Sequence, residues 1–147
     1  MSTRRHSLLA ALALGLGSLL TSTASLAADG PVKIVYHMSE GLAQAARGLG
    51  NIRNHLAADP TARIVVVAHG AGIDFLIDGA EAAPGKPFAG NISELANRGV
   101  EFRVCNNTLV ARNIPADKLV MESKIVPSGV AEIGRLQARE GFVYLKP

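Results

Sequence analysis

Tryptophan is absent, and aromatic residues make up only 4% of the chain. Rings so few and scattered build no surface for stacking nucleobases. A basic cluster is missing beyond the first few residues, so nucleic acid is not an expected partner. Cysteine occurs once, as Cys105. That excludes an internal disulfide and a dithiol redox pair of the thioredoxin type. No Cys-x-x-Cys or His-x-x-x-His spacing marks a zinc site. His69-Gly70-Ala71-Gly72 lacks the Lys and Ser/Thr of a phosphate-binding loop, and no Gly-x-Ser-x-Gly elbow supports a serine hydrolase. The charge-free apolar run Leu8 to Leu20 is shorter than the roughly 20 residues a membrane-spanning helix needs, so no stable membrane anchor is expected.

What is present begins with an export signal. Arg4 and Arg5 precede that apolar run, and small residues follow it up to Ser25-Leu26-Ala27. This pattern predicts a signal peptide over residues 1–27, cleaved near Ala27, and a periplasmic mature protein. Thr3 to Leu9 partly resembles a twin-arginine signal, although Ser7 stands where Phe is usual. Either export route therefore stays open. The mature part, residues 28–147, is about 120 residues long, enough for one domain with one core. Removing Arg4 and Arg5 leaves 13 basic against 12 acidic residues, so the basic character of the whole chain owes much to its leader.

The mature part alternates strand and helix patterns. Strands are expected at Pro31–Met38, Arg63–Ala68, Val100–Cys105, Lys124–Val126 and Phe142–Leu145, from β-branched and apolar runs. Helices are expected at Leu42–Ala58, Asn91–Arg98 capped by Asn91, Asn107–Arg112, and Val130–Arg139 with Val130, Ile133, Leu136 and Gln137 inward. Ile73–Gly79 reads as one or two helical turns, and Ala82–Gly90, with two prolines, as a loop. Such alternation predicts an α/β fold: a three-layer α/β/α sandwich around a mainly parallel five-stranded sheet.

In such sheets ligands bind beyond the carboxyl ends of the strands. His37, His69 and Cys105 stand at the ends of the first three strands. Cys105 is further favoured. The helix expected after it, with Asn106 or Asn107 as cap and Thr108 beside them, turns unpaired amides toward the sulfur and favours a thiolate. Arg103 shares the parity of Cys105, and Arg112 is near in sequence. A lone thiol in an oxidising compartment is a reactive group, an intermolecular partner or a buried, inert side chain. Gly70 after His69 lets backbone amides approach a ligand. His69, Gly70, Asn106, Asn107 and Thr108 are therefore the expected substrate-binding residues around a catalytic Cys105. No cofactor is called for. The alternative is a non-catalytic, oligomeric module that binds a small ligand or a metal through His37, His69 and Cys105.

The segments VVVAHGAGIDFL, ELANRGVEFRVCNNTL and VPSGVAEIGRLQAREGFVYLKP, in that order, resemble the DsrE/DsrF-like family, also called the YchN-like or DsrE/F/H superfamily. The nearest likeness is to small stand-alone members, several of them exported, with Cys-Asn-Asn-Thr-Leu around the cysteine. The resemblance implies a flavodoxin-like sandwich assembled as trimers or hexamers. It also implies that Cys105, at the family's cysteine position, carries sulfane sulfur as a persulfide. The partners are then a sulfur donor or acceptor protein, or a small sulfur compound. The protein would be a sulfurtransferase or a sulfur carrier.

Overall fold

The structure, a computed structural model, describes residues 30–147; the expected signal peptide lies outside them. In chain order the elements are β1 (Lys33–Met38), α1 (Leu42–Ala58), β2 (Arg63–Ala68), a 3-10 segment (Gly70–Leu76), a short antiparallel pair β3 (Glu81–Ala83) and β4 (Lys86–Pro87), and α2 (Phe88–Asn97). There follow β5 (Glu101–Cys105), α3 (Asn106–Ala111), a 3-10 turn (Ala116–Lys118), β6 (Ser123–Val126), α4 (Gly129–Glu140) and β7 (Val143–Leu145).

The main sheet has the order β6-β5-β2-β1-β7, and every pair in it is parallel. The chain first steps in one direction, from β1 to β2 to β5 to β6, and then crosses the whole sheet through α4 to reach β7. Right-handed crossovers that reverse direction must switch faces. The larger core collects Leu49 and Ile52 of α1, Ile92 and Leu95 of α2 and Leu109 of α3 against Ile34, Tyr36, Val66, Ala68, Phe102 and Val104. On the opposite face, among the described residues, α4 alone packs Ile133 and Leu136, with Phe142, on Val35, Val65 and Val67. Adjacent strands β5 and β6 therefore send their outgoing chains to opposite faces. The gap between their carboxyl ends is the switch point of the sheet, the place such folds use for ligands.

The core under α4 is small, and ion pairs extend it. Arg103, on the same face as Val67, pairs with Glu132 of α4 and, at 2.9 Å, with Glu101. Arg135 joins Glu132 and Glu140. The side chains of Arg103 and Glu132 are only 12% and 11% exposed, so solvent screens this pair less than an ordinary surface pair.

Several expectations need correction. The segment Ala82–Gly90 is not a plain loop: it contains β4 and the start of α2. That helix begins at Phe88 rather than Asn91, because the Phe88 ring is buried edge-on against Phe75, with centroids 5.9 Å apart. Asn91 lies inside the helix and accepts a hydrogen bond from Arg53 at 3.1 Å. On α4, Gln137 is exposed and Val130 is 63% exposed; the buried stripe is Gly129, Ile133 and Leu136. Val130 sits one residue off that helical stripe. The α1 boundaries and the left-handed glycines after α2 and α4, Gly99 and Gly141, agree with the sequence reading.

Candidate active site

Cys105 is the last residue of β5 and itself the N-cap of α3. The cap expected from Asn106 or Asn107 is absent: their side chains are exposed, and no side chain caps α3. The sulfur thus occupies the place where a capping oxygen normally sits. Cys105 leaves the sheet on the α4 face, as Arg103 does, and is 5% exposed. Arg103 and Arg112 do not serve it. Arg103 is held by Glu101 and Glu132, and Arg112 by Asp74 and the Gly70 carbonyl.

Two helix starts converge on the thiol. α3 supplies the amides of Asn107 and Thr108, and α4 supplies the amide of Gly129. Burial by itself raises the thiol's pKa. The Gly129 amide, the Thr108 hydroxyl and the Thr108 and Asn107 amides outweigh that, and Cys105 ends below its ordinary value. Thr108 Oγ1 accepts the Gly70 N–H at 2.9 Å, which leaves its own proton to donate to the sulfur. The Gly70 peptide is therefore spent on structure, its N–H on Thr108 and its carbonyl on Arg112.

Gly129 was not singled out from the sequence, yet it sets the spacing of the site. A Cβ there would stand 3.1 Å from His69 Cβ and 3.2 Å from Cys105 Cβ. A Cβ there would be tight against both, so glycine lets α4 close onto them without displacing either. The available signal was Ser128-Gly129 before an amphipathic helix: Ser128 caps α4 through the Ala131 N–H.

The three expected strand-end residues do come to neighbouring strands, since β1, β2 and β5 are adjacent. His37 Nε2 lies 2.6 Å from His69 Nε2, with the rings stacked at 4.7 Å. His37 Nδ1 lies 2.6 Å from the hydroxyl of Tyr144 on β7, a residue the sequence reading passed over. Both imidazoles titrate below their ordinary value. For His37 the causes are burial, then His69 and Lys146, opposed by Glu40; for His69 they are burial and Lys146. Gln44, also unforeseen, is 1% exposed and anchors this edge. Its Oε1 accepts the Ser39 and Glu40 amides at 2.7 and 2.8 Å, while its Nε2 reaches the His37 carbonyl. Gln at the third helical position is the legible half of a capping box.

Cys105 does not complete a metal site with the histidines: among the described residues no three His, Cys, Asp or Glu side chains are grouped to hold an ion. A cleft of about 570 Å³, lined by Tyr36, His55, Asp59, Leu145 and Lys146 among others, lies on the α1 face and does not include the thiol. Among the described residues no helix is long and apolar enough to cross a membrane.

Fold and site together define a doubly wound α/β protein with a single activated thiol at the switch point of its sheet. The chain belongs to the DsrE/DsrF-like family, whose profile matches residues 24–147. It is similar to MTH1491, a protein of unknown function from Methanobacterium thermoautotrophicum: 32% identity, TM-score 0.69, covering 79% of this chain and 99% of that one. YchN of Escherichia coli, 13% identical with a TM-score of 0.64 over 80% of this chain and 99% of its own, shares the fold. No curated protein matches the chain. Family membership points to a sulfur-related role.

Proposed function

We propose that this protein carries or transfers sulfane sulfur as a persulfide on Cys105, in the periplasm after removal of residues 1–27. The observation that carries the reading is the thiol at the N-cap of α3, facing the start of α4, with its pKa lowered by amides from both. The same amides suit the product, since Cys–S–S⁻ is also an anion at a helix start. In loading from polysulfide, the Cys105 thiolate forms a bond to one sulfane sulfur, and the shortened polysulfide leaves with the electron pair of the broken S–S bond. No second cysteine and no external oxidant is needed.

The reading includes a homo-oligomer, a trimer or hexamer. Apolar side chains left in solvent support it: Val143 and Leu145 on one edge strand, Ile125 on the other, and Met121 beside it at 92% exposure. The donor, a small sulfur compound or a protein, brings a sulfane sulfur to the β5–β6 gap, and the acceptor takes it from Cys105 there.

Intact-mass spectrometry of the non-reduced protein, before and after polysulfide, tests the proposal. The expected outcome is a gain of about 32 Da per sulfur, lost on reduction and absent in Cys105→Ser. A wild-type mass unchanged by polysulfide would refute it.

A further inference from the structure

The helix that brings the Gly129 amide to the thiol is packed by its apolar side chains on β1 and β2, not on the strand that carries Cys105. Ile133 and Leu136 meet Val35, Val65 and Val67, and among the described residues no side chain of β5 joins that cluster. Yet the Gly129 backbone is seated against the end of β5: the place of a Gly129 Cβ is 3.2 Å from Cys105 Cβ. Something besides apolar packing holds the start of α4 over the thiol.

An ion pair joins the same strand to the same helix. Arg103 stands two residues before Cys105 and leaves β5 on the same face. Glu132 follows Gly129 by three residues, so it lies on the same side of α4. Arg103 Nη1 donates to Glu132 Oε1. Cys105 with Gly129, and Arg103 with Glu132, are therefore two rungs between one strand and one helix. Both charged side chains are largely buried, and each is steadied from behind. Glu101 holds Arg103 at 2.9 Å and also takes Lys124 at 3.3 Å. Arg135 holds Glu132 at 2.8 and 2.9 Å, but it lies on α4 itself and does not tie the helix to the strand.

We propose that Arg103 and Glu132 are positioning residues for Cys105: their ion pair clamps the start of α4 to the end of β5 and so keeps the Gly129 amide on the sulfur, first as thiolate and then as persulfide. This rests on the persulfide reading above. Gly129 stands first among the donors that favour the thiolate, and neither Arg103 nor Glu132 is among the groups that shift it. The clamp thus acts on the sulfur through the backbone of α4 rather than by its own charge.

The sign of the effect separates the two routes. A carboxylate acting through space opposes ionisation of a neighbouring thiol, so its removal lowers the thiol's pH midpoint. A carboxylate acting through Gly129 does the reverse: its removal frees the start of α4, the amide draws back, and the midpoint rises. Arg103→Lys adds a second contrast. It keeps the positive charge but loses the planar fork that holds Glu101 and Glu132 together. Through-space charge then leaves the midpoint in place, whereas a loosened clamp raises it.

The test is the pH profile of Cys105 alkylation by iodoacetamide, with amide hydrogen exchange at Gly129 and denaturant unfolding in parallel. Glu132→Ala should raise the midpoint by about 0.5 pH unit or more and quicken exchange at Gly129. Arg103→Lys should raise the midpoint as well, and Arg135→Ala should move it much less. Glu132→Gln, which keeps the size of the side chain, serves if Glu132→Ala does not fold, with a smaller rise expected. A midpoint that falls or stays in a folded Glu132 variant would overturn the clamp while leaving the persulfide function standing. An equal rise in Arg135→Ala would also overturn it, since any loosening of α4 would then suffice. Polysulfide loading of the wild type is read separately by mass. If Cys105 takes up no sulfur, the persulfide function falls, and the clamp stands or falls by the alkylation midpoints alone.

Discussion

The sulfur of Cys105 is an anion site before it is a nucleophile. Burial opposes its ionisation, and donors from two helices reverse that balance. Of these donors only the Thr108 hydroxyl can be removed by substitution without touching the backbone. In Thr108→Val the pH midpoint of Cys105 alkylation should rise toward the ordinary thiol value of 9.0. The Gly70 N–H also loses its acceptor, which should cost about 1–3 kcal/mol in denaturant unfolding. A midpoint unmoved by the substitution would mean that the amides alone set the thiol's state. Cys105 and His69 were legible because reactive residue types stood at strand ends, and Thr108 because it lies at the helix start that follows Cys105. Gly129, Tyr144 and Gln44 were not. Tyr144 and Gly129 matter through neighbours distant in the chain: Tyr144 meets His37 across a strand pair, and Gly129 matters only for what it lets approach.

Glycines show how elements are held at the site. Gly72, in the 3-10 segment after β2, has its backbone pressed on the end of β1: a Cβ would fall 2.1 Å from the Met38 carbonyl oxygen, a backbone atom that cannot step aside. Gly48 of α1 also faces Met38, but there the obstacle is the flexible end of a side chain, 2.2 Å away. Gly50, two residues on, meets nothing within 4 Å. Gly50→Ala should therefore stabilise the protein by about 0.5–1 kcal/mol, from helix propensity alone. Gly72→Ala should destabilise it by about 1–3 kcal/mol or more through forced backbone movement. Thermal or denaturant unfolding of the two variants checks both signs. Of the two glycines, only Gly48 eases packing of α1 on the sheet.

Across the whole molecule the pH dependence of stability separates the histidine row from the ion pairs beneath α4. His37 and His69 titrate below 6.5 when folded and near 6.5 when unfolded. The unfolded chain thus binds more protons within that interval, and stability rises with pH through it, reaching its full value above about 6.5. The paired carboxylates Glu101 and Glu132 are also lowered, but from 4.5, so their contribution is lost only at lower pH. Denaturant midpoints should therefore climb as pH rises toward about 6.5 and level off above it. That climb should shrink in a His37→Asn, His69→Asn double variant. An equal climb in that variant would place the titrating groups elsewhere.

The sequence by itself determined the five strands of the main sheet, the helices between them and that the sheet is parallel, because hydrophobic period and turn chemistry are local properties; it missed the short β3–β4 pair and the first turn of α2. It also marked Cys105 as the exceptional side chain, because a lone thiol between a strand and a helix start is conspicuous in one dimension. Only the tertiary structure decided the strand order β6-β5-β2-β1-β7 and hence the switch point beside Cys105. It alone brought His37 onto His69 and Tyr144, and it alone made the start of α4 a second wall of the site. The physical reason is that strand order is set by how the helices share two faces of a sheet. That is a balance of burial and crossover handedness over the entire chain, which no local stretch contains.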